Sequence, residues 1–558
     1  MNGFRGLTVL IAVALGLVAG SGAMAQGQPH GHDQGQAMEA AAVPLFEGLG
    51  EQHFPITTTS ELAQRYFDQG LMFIYGFNHF EAARSFGKAV RHDPACAMCH
   101  WGVALALGPH INAPMFPDAV VPAYDALQKA RQHAPGATER ERAYIRALSH
   151  RYAADPPEDR SGLDRAYAQA MRELARAYPD DLDAATLFAE SLMDLVPWNY
   201  WDEHGRPRAE TAEVIRELDR VLERHPYHPG ALHYYIHALE NSPNPERAEG
   251  AADRLRELNV QIGHMIHMPS HIYARIGRWH DASVANEGAL ADDKAYLAAH
   301  EVQGMVPLLY HPHNFHFLSW TAGMEGRSAV AYQAATELVA ATPAELAGEL
   351  PFLNNFLAMP TLTLVRFGKW DEVLALPRPS ENAVFLAAID HYARGLAFAA
   401  DGSADGVRDE AAKLEVIARS DARQVREIPK AFFPGGSMVA IANNILQAEL
   451  ALLEGEGDEA VRLLEEAVAM QDGLPYFEPP YWFASSRLNL GKVLLALDRA
   501  ADAEAVYRRD LAQYPHNGWS LSGLAQSLRA RGKAAEADQA TRQFRDAWKH
   551  ADVAMTWR

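Results

Sequence analysis

The residues whose spacing could do chemistry are histidines. HMIHMPSH, residues 264–271, sets His264, His267 and His271 at i, i+3 and i+7, one face of a helix. HYYIHALE, residues 233–240, does the same with His233, His237 and Glu240, and HPHNFHF adds His313 and His316. Of the 25 histidines, twelve fall between 225 and 316, where an even spread would put about four. Neutral imidazole suits Zn, Cu, Ni or Fe. Two histidines with a glutamate make a known catalytic zinc set with one open position. No glutamate follows His233, so the stretch is not a HExxH protease site. No Gly-x-Ser-x-Gly elbow, phosphate loop or dinucleotide fingerprint occurs. Glu301, between two clusters, is a candidate base.

CAMCH, residues 96–100, is the second motif. Cys96, Cys99 and His100 match the haem c pattern, in which two thioethers hold the porphyrin and histidine binds the iron. The alternatives are a disulfide at a helix start or a reduced structural pair. The repeat context weighs against haem, because HWGVALALG must pack as the body of the following helix. These are the only two cysteines, so disulfides do not build the fold.

The elements that must position these residues are repeats. YFDQGLMFIYGFNHFEAARSFGKAVRHDP carries Gly70, Ala82, Phe86, Ala89 and Pro94. These offsets match the tetratricopeptide (TPR) pattern, in which small residues let two antiparallel helices approach and proline ends the second. Gly491, Ala503, Tyr507 and Pro515 repeat it, as do Ala448, Ala460, Leu464 and Ala467. GRWHDA, GRSAVA and GKWDEV carry its turn. The expected fold class is all-α, a TPR-type α-solenoid of antiparallel helix pairs. The blocks CAMCHWGVALALGPHINAP, HPGALHYYIHALE, GHMIHMPSHIYARIGRWHDA, HPHNFHF and FEPPYWFASSRLNLGKVL resemble exported bacterial TPR proteins of poorly defined biochemistry.

That resemblance implies that positions 2, 5, 9 and 12 of each first helix face a concave groove. With Ala248 at position 20, Pro229 starts a helix and His233, His237 and Glu240 face the groove. With Ala282 there, His264, His267 and His271 do so. With Ala331 there, Pro312 starts a helix and His313 and His316 follow. Seven histidines and one glutamate are thus expected on one concave surface, binding a divalent transition metal such as Zn or Cu, with retention falling below pH about 6.5. The bland alternative is a polar groove for a protein or peptide partner. A metal-dependent enzyme on the same residues is a third. Pro269 requires either a kink in the helix or a helix that starts there. The aromatic stretches VPWNYWDEHG and YFEPPYWF either line a cleft or plug space between units.

Residues 1–25 read as a signal peptide, with Arg5, an apolar run from Leu7 to Ala19, and AMA before a cut at Gln26. This places the mature chain in the periplasm or outside the cell. The formal charge of −21 and the absence of a basic cluster disfavour nucleic acid. No later run is apolar enough to predict a membrane span. The expected organisation is a flexible lead at 26–55, an array at 56–378 holding the histidine site, and a second array at 379–558.

Overall fold

The computed structural model describes residues 43–300, 302, 304–348, 350–380, 382–420 and 433–555. The leader at 1–25 and Glu301 lie outside the described residues. Among the described residues there are helices and two isolated β-bridges but no strand. The fold class is all-α, of TPR-type helix pairs. The chain divides into two compact units. One contains residues 43–272 and 288–310; the other contains 273–287 and 311–555. The expected boundary at 378 falls inside the second unit.

The first unit opens with α1 (Glu61–Tyr75), α2 (His79–His92), α3 (Ala97–Ala106), α4 (Val120–His133) and α5 (Glu139–Leu148). It continues with α6 (Ser161–Ala177), α7 (Leu182–Met193), α8 (Ala209–Arg224), α9 (Pro229–Leu239) and α10 (Glu249–Glu257). Then come α11 (Gly263–His267), α12 (Pro269–Ile276) and α13 (Trp279–Ala299), the last two shared with the second unit. Side-chain caps start several of these helices. Ser60, Asn78 and Asp181 each accept from a backbone N–H of the first turn, and Thr138 with Glu141 forms a capping box.

The repeat pattern works through small residues set against large rings. A Cβ on Gly70 of α1 would come within 2.7 Å of the Phe86 ring of α2, and one on Gly102 of α3 within 2.3 Å of the same ring. Phe86, Ala82 and Ala89 are fully buried. Filling either glycine overpacks the joint, at about 1–3 kcal/mol. Residues 43–55 are not a loose lead. Tyr66 Oη donates to the Val43 carbonyl and the Gln69 amide donates to that of Pro44. Gln69 also accepts from the Phe46 N–H, and Asp68 accepts from that of Phe54. The polar face of α1 therefore pins this segment.

In the second unit α14 (His311–Met324), α15 (Ser328–Ala341), α16 (Leu353–Arg366), α17 (Trp370–Ala375), α18 (Val384–Ala400) and α19 (Ala404–Arg419) come first. They are followed by α20 (Gly435–Leu453), α21 (Gly457–Asp472), α22 (Ser486–Ala496), α23 (Ala500–Gln513), α24 (Gly518–Ala530) and α25 (Ala534–Ala547). The interlock recurs there: Cβ atoms on Gly491 and Gly523 would stand 2.4 and 2.2 Å from the buried Tyr507 ring. Against expectation, α20 is long and apolar enough to cross a membrane by length and composition. It packs against α21 and α18 and buries Met438, Val439, Ile441 and Ile445. In the aromatic stretch at 476–483, Tyr481, Trp482 and Phe483 are buried within this unit.

Candidate metal centre

Pro229 starts α9, as expected, and the His228 imidazole accepts from the Ala231 N–H as its cap. α9 then places His233, His237 and, at its C-cap, Glu240 on one side. The second segment kinks, as Pro269 requires. α11 ends at His267, Met268 keeps helical backbone angles, and α12 resumes at Pro269. The Met268 N–H still donates to the His264 carbonyl and the His271 N–H to that of Met268. His264 and His267 are therefore helical.

These side chains do not line an open groove. His233 and His267 are fully buried, and His237, Glu240, His264 and His271 nearly so. Other segments of the chain cover the face that carries them. Phe77, in the turn after α1, places its ring 4.7 Å from His233, 5.7 Å from His237 and 6.0 Å from His264. Tyr310 stacks on His264 at 4.4 Å, and Trp198 stands edge-on to His237 at 5.4 Å.

One nitrogen from each of His233, His237 and His264 lies within 4.8 Å of the others. The protons of His233 and His237 can be assigned. His233 Nδ1 faces the Tyr75 carbonyl, which only accepts, so Nδ1 carries the proton and Nε2 keeps a lone pair. His237 Nδ1 faces Glu240 Oε1 at 3.1 Å, with the same result. Neither Nε2 has a hydrogen-bond partner among the described residues, and neither does either nitrogen of His264. Burial, reinforced by neighbouring imidazoles, holds all three well below the ordinary histidine pKa. They are therefore neutral lone-pair donors at neutral pH. Tetrahedral Zn–N bonds of 2.0–2.1 Å would set the nitrogens about 3.4 Å apart, so small ring rotations close the set.

Glu240 also approaches His271, its Oε2 3.1 Å from His271 Nδ1, while its hydrogen bond to His237 is the arrangement that orients metal-binding histidines. His271 Nε2 in turn lies 2.9 Å from His267 Nε2. Tyr75, whose carbonyl orients His233, is itself tied by its hydroxyl to Asp183.

His313 and His316 belong to the second unit. The His313 ring packs edge-on to Phe317, and the buried His316 packs against Phe356. Burial alone lowers the His316 pKa to about 3. Cys96 and Cys99 are joined in a disulfide, which occupies both sulfurs a haem would need, and His100 Nε2 bonds to the Pro94 carbonyl at 3.0 Å.

Sequence reasoning missed Phe77, Tyr310 and the pair His79–His110. The His79 and His110 rings are 4.3 Å apart, and His110 stacks on Phe77 at 4.9 Å. His79 comes from α2, Phe77 and His110 from the connections after α1 and α3, and Tyr310 from the π-helical segment Val306–Tyr310 directly before α14. A usable signal was IYGFN, where a bulky Phe77 follows the helix-ending Gly76.

No family model matches the sequence, and no curated protein does. Solved structures similar in fold include the human IFIT1 dimer with m7Gppp-AAAA, at 11% identity and TM-score 0.30, covering 88% of this chain and 91% of that one. Yeast Tom70 is similar at 12% and 0.28, covering 87% and 90%. The TPR domain of P58(IPK) is similar at 12% and 0.22, covering 85% and 99%. Likeness at this level says nothing about ligand or partner.

Proposed function

We propose that this chain is a metal-binding TPR protein that holds one divalent transition metal, Zn or Cu, through His233, His237 and His264. The observation that carries the reading is the set of three buried neutral imidazoles with unpartnered nitrogens, two of them oriented by Nδ1 acceptors. Unsatisfied buried nitrogens cost about 1–3 kcal/mol each, and a bound ion would remove that cost. The helix pairs serve as the rigid scaffold. Export from a bacterial cell is part of the reading, supported by the leader at 1–25 and by the Cys96–Cys99 disulfide, which suits an oxidising compartment.

Three protein donors leave a fourth position open, the arrangement of catalytic rather than closed structural sites. This favours, as a second reading, a metal-dependent enzyme on the same residues. The test is elemental analysis after loading with Zn or Cu and dialysis. About one ion per chain should remain. His237→Ala and His264→Ala should each lose it while the helical circular dichroism persists, and the exposed His92→Ala should keep it. Wild-type protein that retains no ion, or cluster variants that retain as much as wild type, would overturn the reading.

A further inference from the structure

The three imidazoles of the histidine set offer an ion lone pairs but no charge. Among the described residues no carboxylate oxygen or sulfur belongs to the close group formed by His233, His237 and His264. Cys96 and Cys99, the only cysteines of the chain, are joined in their disulfide. Glu240 is the one carboxylate hydrogen-bonded to any of the three rings among the described residues, 3.1 Å from His237 Nδ1. His233 Nδ1 faces the Tyr75 backbone carbonyl instead, and neither nitrogen of His264 has a partner among the described residues. An ion at these nitrogens therefore keeps its whole charge, with one carboxylate standing behind a ligand.

The shell packed on the set is aromatic carbon. Phe77 touches all three rings, Trp198 stands edge-on to His237, and Tyr310 stacks on His264. The polar atoms of this shell are engaged elsewhere. Trp198 Nε1 donates to the Ile111 carbonyl, and the Tyr310 hydroxyl accepts from Asn112 Nδ2 and lies 3.5 Å from the Phe77 carbonyl. The cost of burying an ion in such surroundings grows as the square of its charge, so a dication costs about four times as much as a monocation. Zinc also takes a fourth ligand beside three protein donors, and Cu(II) asks for square-planar or tetragonal surroundings. Cu(I), a monocation with a filled d shell, is satisfied by three nitrogens, and its single charge matches that of the Glu240 carboxylate. Other clusters carry less. Arg151 with Asp194 is a buried internal pair, and Arg366 already donates to the Gly323 and Phe483 carbonyls.

We propose that the pocket selects copper over zinc and holds it as Cu(I), three-coordinate at His233, His237 and His264. The proposal rests on the metal reading and narrows it to one metal and one oxidation state.

The test is anaerobic titration of the metal-free full chain with Cu(I) buffered by bathocuproine disulfonate and, separately, with Zn(II) and Cu(II) against chromophoric chelators. One Cu(I) per chain should bind, more tightly than Zn(II) or Cu(II) by about a hundredfold or more. X-ray absorption at the copper edge should show three nitrogen neighbours and no fourth ligand. Tyr310→Glu and Trp198→Asp each set a carboxylate beside a ligand, and Asp tolerates the left-handed backbone at that position, φ 59°. Both variants should narrow the preference for Cu(I) over Zn(II) by about tenfold or more, with wild-type circular dichroism as the check on folding. The wild-type affinities decide the question even if neither variant folds. Zn(II) or Cu(II) bound as tightly as Cu(I), a fourth ligand on copper, or an undiminished preference in both folded variants would overturn the proposal and leave the metal site standing. Retention of none of the three ions would overturn the metal reading itself, so the two failures are told apart.

Discussion

Lowering the pH of the metal-free protein should destabilise it far above the range of ordinary acid denaturation. Burial lowers the pKa of His79, His110, His233, His237, His264 and His316. The folded chain therefore binds fewer protons than the unfolded chain, whose histidines titrate near 6.5. Stability is then full above pH 6.5 and is lost as the pH falls below it. Each such histidine removes about 1.4 kcal/mol between pH 7.5 and 5.5, or roughly 8 kcal/mol for all six. Asp292 opposes this, because burial with Asp293 nearby raises it to about 6; it binds a proton in the fold and returns about 1 kcal/mol over the same interval. The net loss is about 7 kcal/mol, a large part of the 5–15 kcal/mol typical of a folded chain. Urea unfolding followed by circular dichroism at pH 7.5, 6.5 and 5.5, with chelator present, measures it. A loss below about 1.5 kcal/mol, one histidine's worth, would refute the claim that these imidazoles stay buried and neutral. The same burial moves the acid release of a bound metal below the pH of 6.5 that the residue types alone predict.

Other perturbations test individual contacts. Glu240→Gln should lower metal affinity about 10–100-fold, read by competition with a chromophoric chelator, because it removes the carboxylate that accepts from His237 Nδ1; unchanged affinity would contradict the bracing role. Phe77→Gly relieves a left-handed backbone at φ 54° but deletes a ring that is 1% exposed; a net loss of about 2–4 kcal/mol is expected in urea unfolding, and a stabilised variant would contradict it. Arg151→Met leaves Asp194 and Glu190 without the cation that Arg151 supplies to Asp194 at 2.5 Å; it should cost about 3–5 kcal/mol, with Arg151→Met/Asp194→Asn recovering part of that loss.

The repeat joints were legible because they are local. Gly70 meets Phe86 and Gly491 meets Tyr507 at offsets a short window contains. The face shared by His233, His237 and Glu240 was legible for the same reason, as was the helix start at Pro229. What covers that face was not. Phe77, Trp198 and Tyr310 arrive from positions more than thirty residues away in the chain, and helical periodicity carries no information about them. Burial was therefore missed, and with it the lowered pKa values. The register also set His316 on the same face as the others, yet its ring packs on Phe356 among apolar neighbours. A heptad-like spacing fixes a direction from one helix axis and leaves the point of convergence to tertiary packing. The lead at 26–55 read as loose because its composition is polar and small; its last residues are held by Gln69 and Asp68 of α1, partners no composition could indicate.

The backbone gives a separate reason to treat the histidine cluster as more than packing. Among the described residues five that are not glycine adopt positive φ: Phe77, Trp198, Asn259, Asp498 and His516. The last three are of types that tolerate this region in turns, but a bulky aromatic residue there is an outlier. Both aromatic cases, Phe77 and Trp198, have their rings on His237. Phe77 follows the C-cap Gly76, and its N–H and that of Asn78 close the end of α1 on the Ile74 and Phe73 carbonyls. A glycine at that position would make the same turn without the cost of about 1–2 kcal/mol that a side chain incurs in left-handed backbone. The strain is repaid only by what the ring does, which is to exclude water from His233, His237 and His264. A dry pocket keeps the imidazoles neutral with their lone pairs unoccupied, and it strengthens any charge interaction formed there. Strained residues that persist around a reactive cluster are a recurrent feature of functional sites, and here two of them flank the histidine that Glu240 braces.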